Sequence, residues 1–343
     1  MIFSETKPLR SSDNGDTMAL ADKTRESTAG HEALLASAGL VDLSSRGRIR
    51  VTGEDRARLL HAMTTNHVQQ MKPGDGIYAF FLNAQGRILA DAYVLCFDDH
   101  FLLDTAAETR KLVYEHLDRY IIADDVALED VTEETFCFGL EGPKATEVAA
   151  KCGLAAPHHR FAHVRAGDFW VAAISATGTH GVRIYGAGGS RDEAVATIEA
   201  TGAIAASAED AEAARIEHFV PKYGCDITEQ TLPQETQQMH ALHFQKGCYL
   251  GQEIVERIRS RGHVNRLLMG FRIESQTEAP PPGTKLMLEG KGAGEVTSST
   301  VVFGSKVSGS AVFGLAYVRV PGAKSGAVAE IDGHPVELFA PRM

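Results

Sequence analysis

The chain has 343 residues, of which 44% are hydrophobic and 23% charged, the balance of a soluble globular protein of about two or three domains. Its 34 Lys and Arg against 45 Asp and Glu leave a formal net charge of −11, which argues against a general binder of nucleic acid or anionic membrane. No uncharged apolar run of about 18 residues occurs, which excludes a transmembrane helix. The polar N-terminus lacks a signal-peptide core, so the expected compartment is the cytoplasm.

Residues 1–30, rich in Ser, Thr, Asp and Lys, read as a mobile tail, with Met18 an alternative to Met1 as the start. From Gly47 the pattern is regular. Arg48 to Val51 alternates as a strand, and Thr52 with Asp55 has the layout of a capping box ahead of a helix carrying Ala57, Leu60 and Met63. Ile77–Leu82 and Arg87–Phe97 form strands around an Asn83 to Gly86 turn, followed by a strand at Phe101–Thr105. A helix from Ala107 to Tyr120 places Val113, Leu117 and Tyr120 on one buried face.

A second, weaker copy of this rhythm follows. Strands are expected at Phe136–Leu140, Phe161–Val164, Phe169–Ile174 and Val182–Tyr185, with helices near Lys144–Cys152 and Arg191–Thr201. Hairpins mixed with helices predict an α+β fold rather than strict βαβ alternation. The run Gly186 to Gly189 lacks dinucleotide-fingerprint spacing and reads as a loop. After Pro280 to Gly283 short β-rich stretches alternate with Gly and Ser turns, predicting a small antiparallel barrel or sandwich. The expected organisation is a tail over 1–30, two α+β halves within 31–265 (about 45–131 and 132–265), and a C-terminal β domain over 266–343.

The five cysteines, at 96, 137, 152, 225 and 248, form no CxxC pair and read mostly as small reduced core residues. Cys248 differs in its surroundings. Lys246-Gly247-Cys248-Tyr249-Leu250-Gly251-Gln252-Glu253 leads into a helix carrying Ile254, Val255 and Ile258. A thiol ahead of a helix N-terminus and two residues from a lysine is placed to be nucleophilic, oxidisable or metal-binding; a buried cysteine in a tight turn is the plainer alternative. No metal site is expected, since His158, His159 and His163 do not share one face of a strand. His240 and His243 are near Cys248 in sequence. Arg257, Arg259, Arg261 and Arg266 with His263 form a basic stretch for phosphate, a polyglutamate tail or RNA, with a solvated face as the default.

The motif at 246–253 resembles the signature of the YgfZ family of folate-binding, iron–sulfur-related proteins, relatives of the glycine cleavage T-protein (aminomethyltransferase). Arg215-x-Glu217 through Tyr223-Gly224-x-Asp226-Ile227, Thr65-Asn66, and the Gly86 turn leading to Asp91 resemble stretches of the T-protein. The resemblance implies two related α+β domains around a central folate pocket with a C-terminal antiparallel β-barrel beside it. It implies tetrahydrofolate as cofactor, with Glu217 meeting the amino-pyrimidine edge of the pterin and Asn66, Asp91, Tyr223 and Lys246 as further contacts. Cys248 and Asp91 are the expected reactive groups. Where the T-protein has paired aspartates, this chain reads Ala90-Asp91, which argues against aminomethyl transfer.

The expected function is therefore a tetrahydrofolate-binding protein that assists assembly or repair of iron–sulfur clusters. Its expected partners are client enzymes or cluster carriers, tRNA-modifying enzymes among the clients. A folate-dependent aminomethyl or one-carbon transferase is one alternative, and a tRNA-binding accessory protein another. A cluster held by this chain alone is not expected, because four well-spaced cysteine ligands are missing.

Overall fold

Three β-structures organise the chain in a computed structural model that describes residues 27–155, 157–303 and 309–341, with the Arg261 side chain outside the described set. The tail expected over 1–30 and the alternative start at Met18 lie almost wholly outside these residues. Thr28, at the end of that span, instead caps a helix, Ala29–Ala36, by accepting from the His31 amide.

The first sheet is antiparallel, in the order Gly76–Leu82, Ile88–Cys96, Phe101–Thr105, Gly47–Thr52, Ala127–Asp130. Helix Arg56–Met63 and helix Arg110–Asp118 cover one face, burying Leu60, Met63, Val113 and Leu117 against Phe81, Ala90, Val94 and Leu103. Each such side chain contributes about 1.5–3 kcal/mol by leaving water. Two local expectations fail here. Thr52 ends its strand and forms no capping box; the helix begins after Asp55, whose carboxylate accepts from the Asp125 amide at 3.0 Å. Tyr120 lies beyond the helix end at Asp118 and is 40% exposed, because the chain leaves the helical period there.

The second sheet runs Ile204–Ala206, Gly39–Asp42, Thr135–Glu141, Gly181–Ala187, Phe169–Ala172, His163–Ala166. Its Gly39–Asp42 strand comes from the chain ahead of the first sheet and pairs in parallel with Ile204–Ala206. The strand expected to start at Phe161 starts at His163, since Phe161 sits in the left-handed region at φ 66°. Helix Ala208–Glu217 opens with a capping box of Ser207 and Asp210. Beyond it the chain returns to the first sheet, where Tyr223, Ile227, Leu242, Tyr249 and Val255 pack on Tyr78, Phe80, Leu82 and Ile88.

Six antiparallel strands, Arg266–Glu274, Ser310–Arg319, Lys291–Phe303, Lys285–Leu288, Val328–Ile331 and His334–Phe339, close into the C-terminal barrel. Two α+β units and an antiparallel barrel are the architecture expected from sequence. The barrel is fastened through Asp226, which takes the Arg215 guanidinium at 2.5 Å and the hydroxyls of Thr297 and Ser298. Among the described residues no helix is long and apolar enough to cross a membrane.

Candidate functional site

Residues from both sheets, from helix Ala208–Glu217 and from the segment after it line one cavity of about 970 Å³, large enough for a cofactor-sized molecule. On strand Ile88–Cys96 alternate side chains face opposite sides, so Asp91 points to the cavity while Ala90 is fully buried in the core behind it. The Tyr78 hydroxyl donates to Asp91 at 2.6 Å. Burial raises the Asp91 pKa, partly offset by that hydrogen bond and by the charge of Arg46.

Aromatic rings make one wall. Tyr78 and Tyr93 lie 5.1 Å apart, His240 is 5.4 Å from Tyr78, and Phe161 is 5.8 Å from His240. Burial, with the charge of Arg160 second, pushes the His240 imidazole down to about 4, so it stands in the wall as a neutral ring. Its Nδ1 and the Nε2 of Gln238, another lining residue, are buried without a hydrogen-bond partner.

Charge beside these rings is held by one carboxylate. Asp104 is fully buried and accepts from Arg46 Nε at 2.5 Å, Arg183 Nη1 at 2.5 Å and the Tyr185 hydroxyl at 2.6 Å. Burial alone would raise its pKa; the two guanidiniums and the hydroxyl outweigh that and hold the carboxyl down at about 2. Arg183 also lies over the Tyr93 ring, 4.4 Å from its centroid. Glu141, likewise buried, accepts from Ser175, Thr177 and the Ala176 amide, fixing the loop that closes this side.

The structure brings Asp91 and Tyr223 to the cavity wall, the latter with its hydroxyl donating to the Leu89 carbonyl at 2.5 Å. It does not bring Glu217. Ala208, Ala211, Glu212 and Arg215 line the cavity at helical spacing, and a residue two beyond Arg215 is turned about 200° around the helix. Glu217 therefore faces away and pairs with the Nε2 of His31 on helix Ala29–Ala36. The acid this helix offers the cavity is Glu212, held by Arg215 and by Lys222 at 3.1 Å. Its i, i+3 relation to Arg215 is the sequence signal that would have found it.

Asn66 is likewise a scaffold residue: its amide donates to the carbonyls of Tyr78 and His240, both at 2.9 Å. Lys246 is 5% exposed, and its Nζ donates to the carbonyls of His61 and Thr64 at the end of helix Arg56–Met63. It does not line the cavity, and burial pushes its pKa down to about 7. His240 belongs to the cavity, and His243 packs on His67 at 5.1 Å.

The rest of the signature loop is also structural. Tyr249 is buried 4.8 Å from the Lys246 ammonium, Leu250 N–H donates to Ala62 O at 3.1 Å, and Gln252 Oε1 accepts from Tyr249 N. Gly251, at φ 82°, lies against the Gly86 turn; a Cβ on it would fall 2.7 Å from the Asn83 oxygen. Helix Gln252–Arg261 starts there, and Glu253 pairs with Arg257 on its surface. Gly247 takes φ 96°, and next to it Cys248 is exposed. Cys225 is also exposed, whereas burial pushes the thiols of Cys96 and Cys137 up to about 11 and 12. Three arginines of the basic stretch are engaged within the chain: Arg257 by Glu253, Arg259 by Glu256 and the Phe244 ring, Arg266 by Glu235 and the Tyr317 ring.

Residues 17–246, which hold both sheets and the cavity between them, match the GCVT N-terminal domain family. The chain belongs to that family. It is 30% identical over 294 residues to a chloroplastic putative transferase of Arabidopsis thaliana, a match covering 84% of this chain and 66% of that relative. It is 30% identical over 315 residues to an aminomethyltransferase of Rubrobacter xylanophilus, covering 90% of this chain and 83% of that one. The crystal structure of glycine cleavage system aminomethyltransferase T from Bartonella henselae shares the fold, with a TM-score of 0.79 at 21% identity over 90% of this chain and 87% of that one.

Proposed function

We propose that the cavity binds a reduced folate, and that the folate-loaded protein supports assembly or repair of iron–sulfur clusters in client enzymes or their cluster carriers. The observation that carries the folate reading is Asp91, a half-buried carboxylate facing the cavity at one end of a file of aromatic rings. Two oxygens of a carboxylate match the paired N–H donors of an amino-pyrimidine, and the rings suit the flat remainder of such a ligand. The residues present thus fit tetrahydrofolate, which would bring one-carbon chemistry to the cavity. The cluster reading rests on the YgfZ-like loop, whose Cys248 is exposed outside the cavity lining.

Anaerobic calorimetric titration of tetrahydrofolate tests the first part. Asp91→Asn is expected to weaken binding by about ten-fold or more; no binding to the wild-type chain would overturn the folate reading. For the second part, Cys248→Ala is expected to bind folate normally yet fail to restore cluster-enzyme activity in a strain lacking the protein. Full restoration by that variant would remove the thiol from the mechanism.

A second reading, a folate-dependent aminomethyl or one-carbon transferase, is supported by the likeness to aminomethyltransferases over 90% of the chain. The objection drawn from Ala90 loses its force, since that position faces the core. Ammonia release and methylene-tetrahydrofolate formation with an aminomethyl-lipoyl carrier would establish it, and absence of turnover would dismiss it. A role in binding tRNA through the arginine stretch draws no support from Arg257, Arg259 and Arg266, which are already paired.

A further inference from the structure

The cavity wall carries five Arg and Lys residues, Arg46, Arg160, Arg183, Arg215 and Lys222. Four are matched to carboxylates of the chain: Arg46 and Arg183 share Asp104, Arg215 has Asp226 and Glu212, and Lys222 has Glu212. Arg160 is different. Its guanidinium lies 4.5 Å over the Phe161 ring and makes no ion pair or hydrogen bond with any described residue. It is exposed at the rim, with His158 and His180 lining the same cavity.

Arg160 also stands at a defined end of the aromatic file. From Asp91 the contacts run to the Tyr78 hydroxyl at 2.6 Å, to His240 at 5.4 Å, to Phe161 at 5.8 Å and to Arg160 at 4.5 Å. The sequence of chemistry along this wall is acid, rings, cation. A ligand complementary to it has N–H donors at one end, aromatic groups between, and an anion at the other. Phe161, which carries the cation on its face, is held at φ 66°, a conformation uncommon for a bulky residue and found where surrounding structure imposes it.

We infer that Arg160 is the anchor for the carboxylate tail of the cavity's ligand, so that the site takes folates head-first toward Asp91 and tail-out at the rim. This rests on the folate reading above and adds its orientation and its preference for a glutamate-bearing ligand. A guanidinium stacked on a ring keeps its edge free for two parallel N–H···O bonds to a carboxylate. The rim, not the arginine stretch near residue 260, is then where additional glutamates of a polyglutamate tail lie.

The experiment compares tetrahydrofolate with tetrahydropteroate, which has the same head and ring but no glutamate, in anaerobic titrations of the full chain and of Arg160→Ala. The expected result is that wild type prefers tetrahydrofolate by about ten-fold. In Arg160→Ala that preference disappears while tetrahydropteroate affinity is unchanged, and Arg160→Lys recovers part of it. The tetrahydrofolate affinity of wild type should also fall with added salt more steeply than that of the alanine variant. A preference that survives in Arg160→Ala, or an equal loss for both ligands, overturns the inference and leaves the folate reading standing. Binding of neither ligand to the wild-type chain overturns both.

Discussion

Replacing Asp104 by Asn tests how the cavity wall is held. The substitution keeps the shape and one acceptor oxygen but strands two guanidiniums, of which the Arg183 side chain is 3% exposed and that of Arg46 22% exposed. Breaking a buried pair from one side costs about 3–5 kcal/mol, because the remaining charge has no compensation. A second route gives the charge-dependent part. A carboxyl moved from 3.8 to about 2 on folding corresponds to about 2 kcal/mol of stability at neutral pH. Because the folded pKa is depressed, this contribution is complete above the unfolded value and is lost as pH falls through the folded one. Urea unfolding followed by circular dichroism should show a gap of about 3–5 kcal/mol between wild type and Asp104→Asn near neutrality. That gap should narrow by about 2 kcal/mol by pH 2. A gap below about 1 kcal/mol, the size of an ordinary hydrogen bond, or one independent of pH, would refute the reasoning. Tyr185→Phe, which removes a single hydrogen bond to the same carboxylate, should cost only about 1 kcal/mol.

Three further outcomes follow from the same geometry. Gly86→Ala places a Cβ 2.7 Å from Ile254 at φ 71°, so it should destabilise by about 1–3 kcal/mol and speed amide exchange in helix Gln252–Arg261 ahead of the barrel; unchanged exchange would refute it. Lys246→Met leaves the carbonyls of His61 and Thr64 without their donor, at about 1–3 kcal/mol each. Between the folded value of about 7 and the unfolded value of 10.5 only the unfolded chain holds the proton, so wild type should gain stability over this variant as pH rises through that window; a flat difference would contradict the placement. Glu217→Gln should weaken the junction of helices Ala29–Ala36 and Ala208–Glu217 by about 1–3 kcal/mol in a thermal melt and leave tetrahydrofolate affinity within about two-fold. A ten-fold loss of binding, about 1.4 kcal/mol, would mean that the carboxylate reaches the ligand after all.

What was legible in the sequence was what depends on local period. The hairpin around Asn83 to Gly86 and the β-rich tail that closes as a barrel follow from neighbours in the chain, whereas reading Ala90-Asp91 as a pair overlooked the strand alternation that sets Ala90 in the core and Asp91 at the cavity. What was not legible depends on facing. Glu217 is the pterin contact that the resemblance implies, yet a step of two from Arg215 turns its side chain to the far side of the helix; the cavity received Glu212 and Arg215, and Glu217 went to His31. Helix Ala29–Ala36, which carries His31, and the Gly39–Asp42 strand after it were hidden for a related reason. The strand completes a sheet whose other strands begin almost a hundred residues later, at Thr135, so no local pattern announces its partner. Gln238 escaped, and His240 was tied to Cys248 instead of the cavity, because both follow Gln237, held in the left-handed region at φ 60°, in a segment with no regular period.

The signature loop shows how a specific motif can be misread residue by residue. Lysine two positions before a cysteine suggests an activating charge, but the Lys246 ammonium is spent on two helix-end carbonyls. Gly251 is needed because the Gly86 turn is packed against it, with a Cβ there 3.2 Å from the Gly86 Cα. Tyr249 fills a core, Leu250 is tied to Ala62, and Gln252 closes the turn. With these positions committed to holding the loop on helix Arg56–Met63 and the Gly86 hairpin, the scaffold leaves outside the side chains of Glu253, which is paired with Arg257, and of Cys248. Packing explains its neighbours and does not explain a cysteine there, which is why restoration of client activity by Cys248→Ala is the outcome that most directly separates a reactive loop from a merely rigid one.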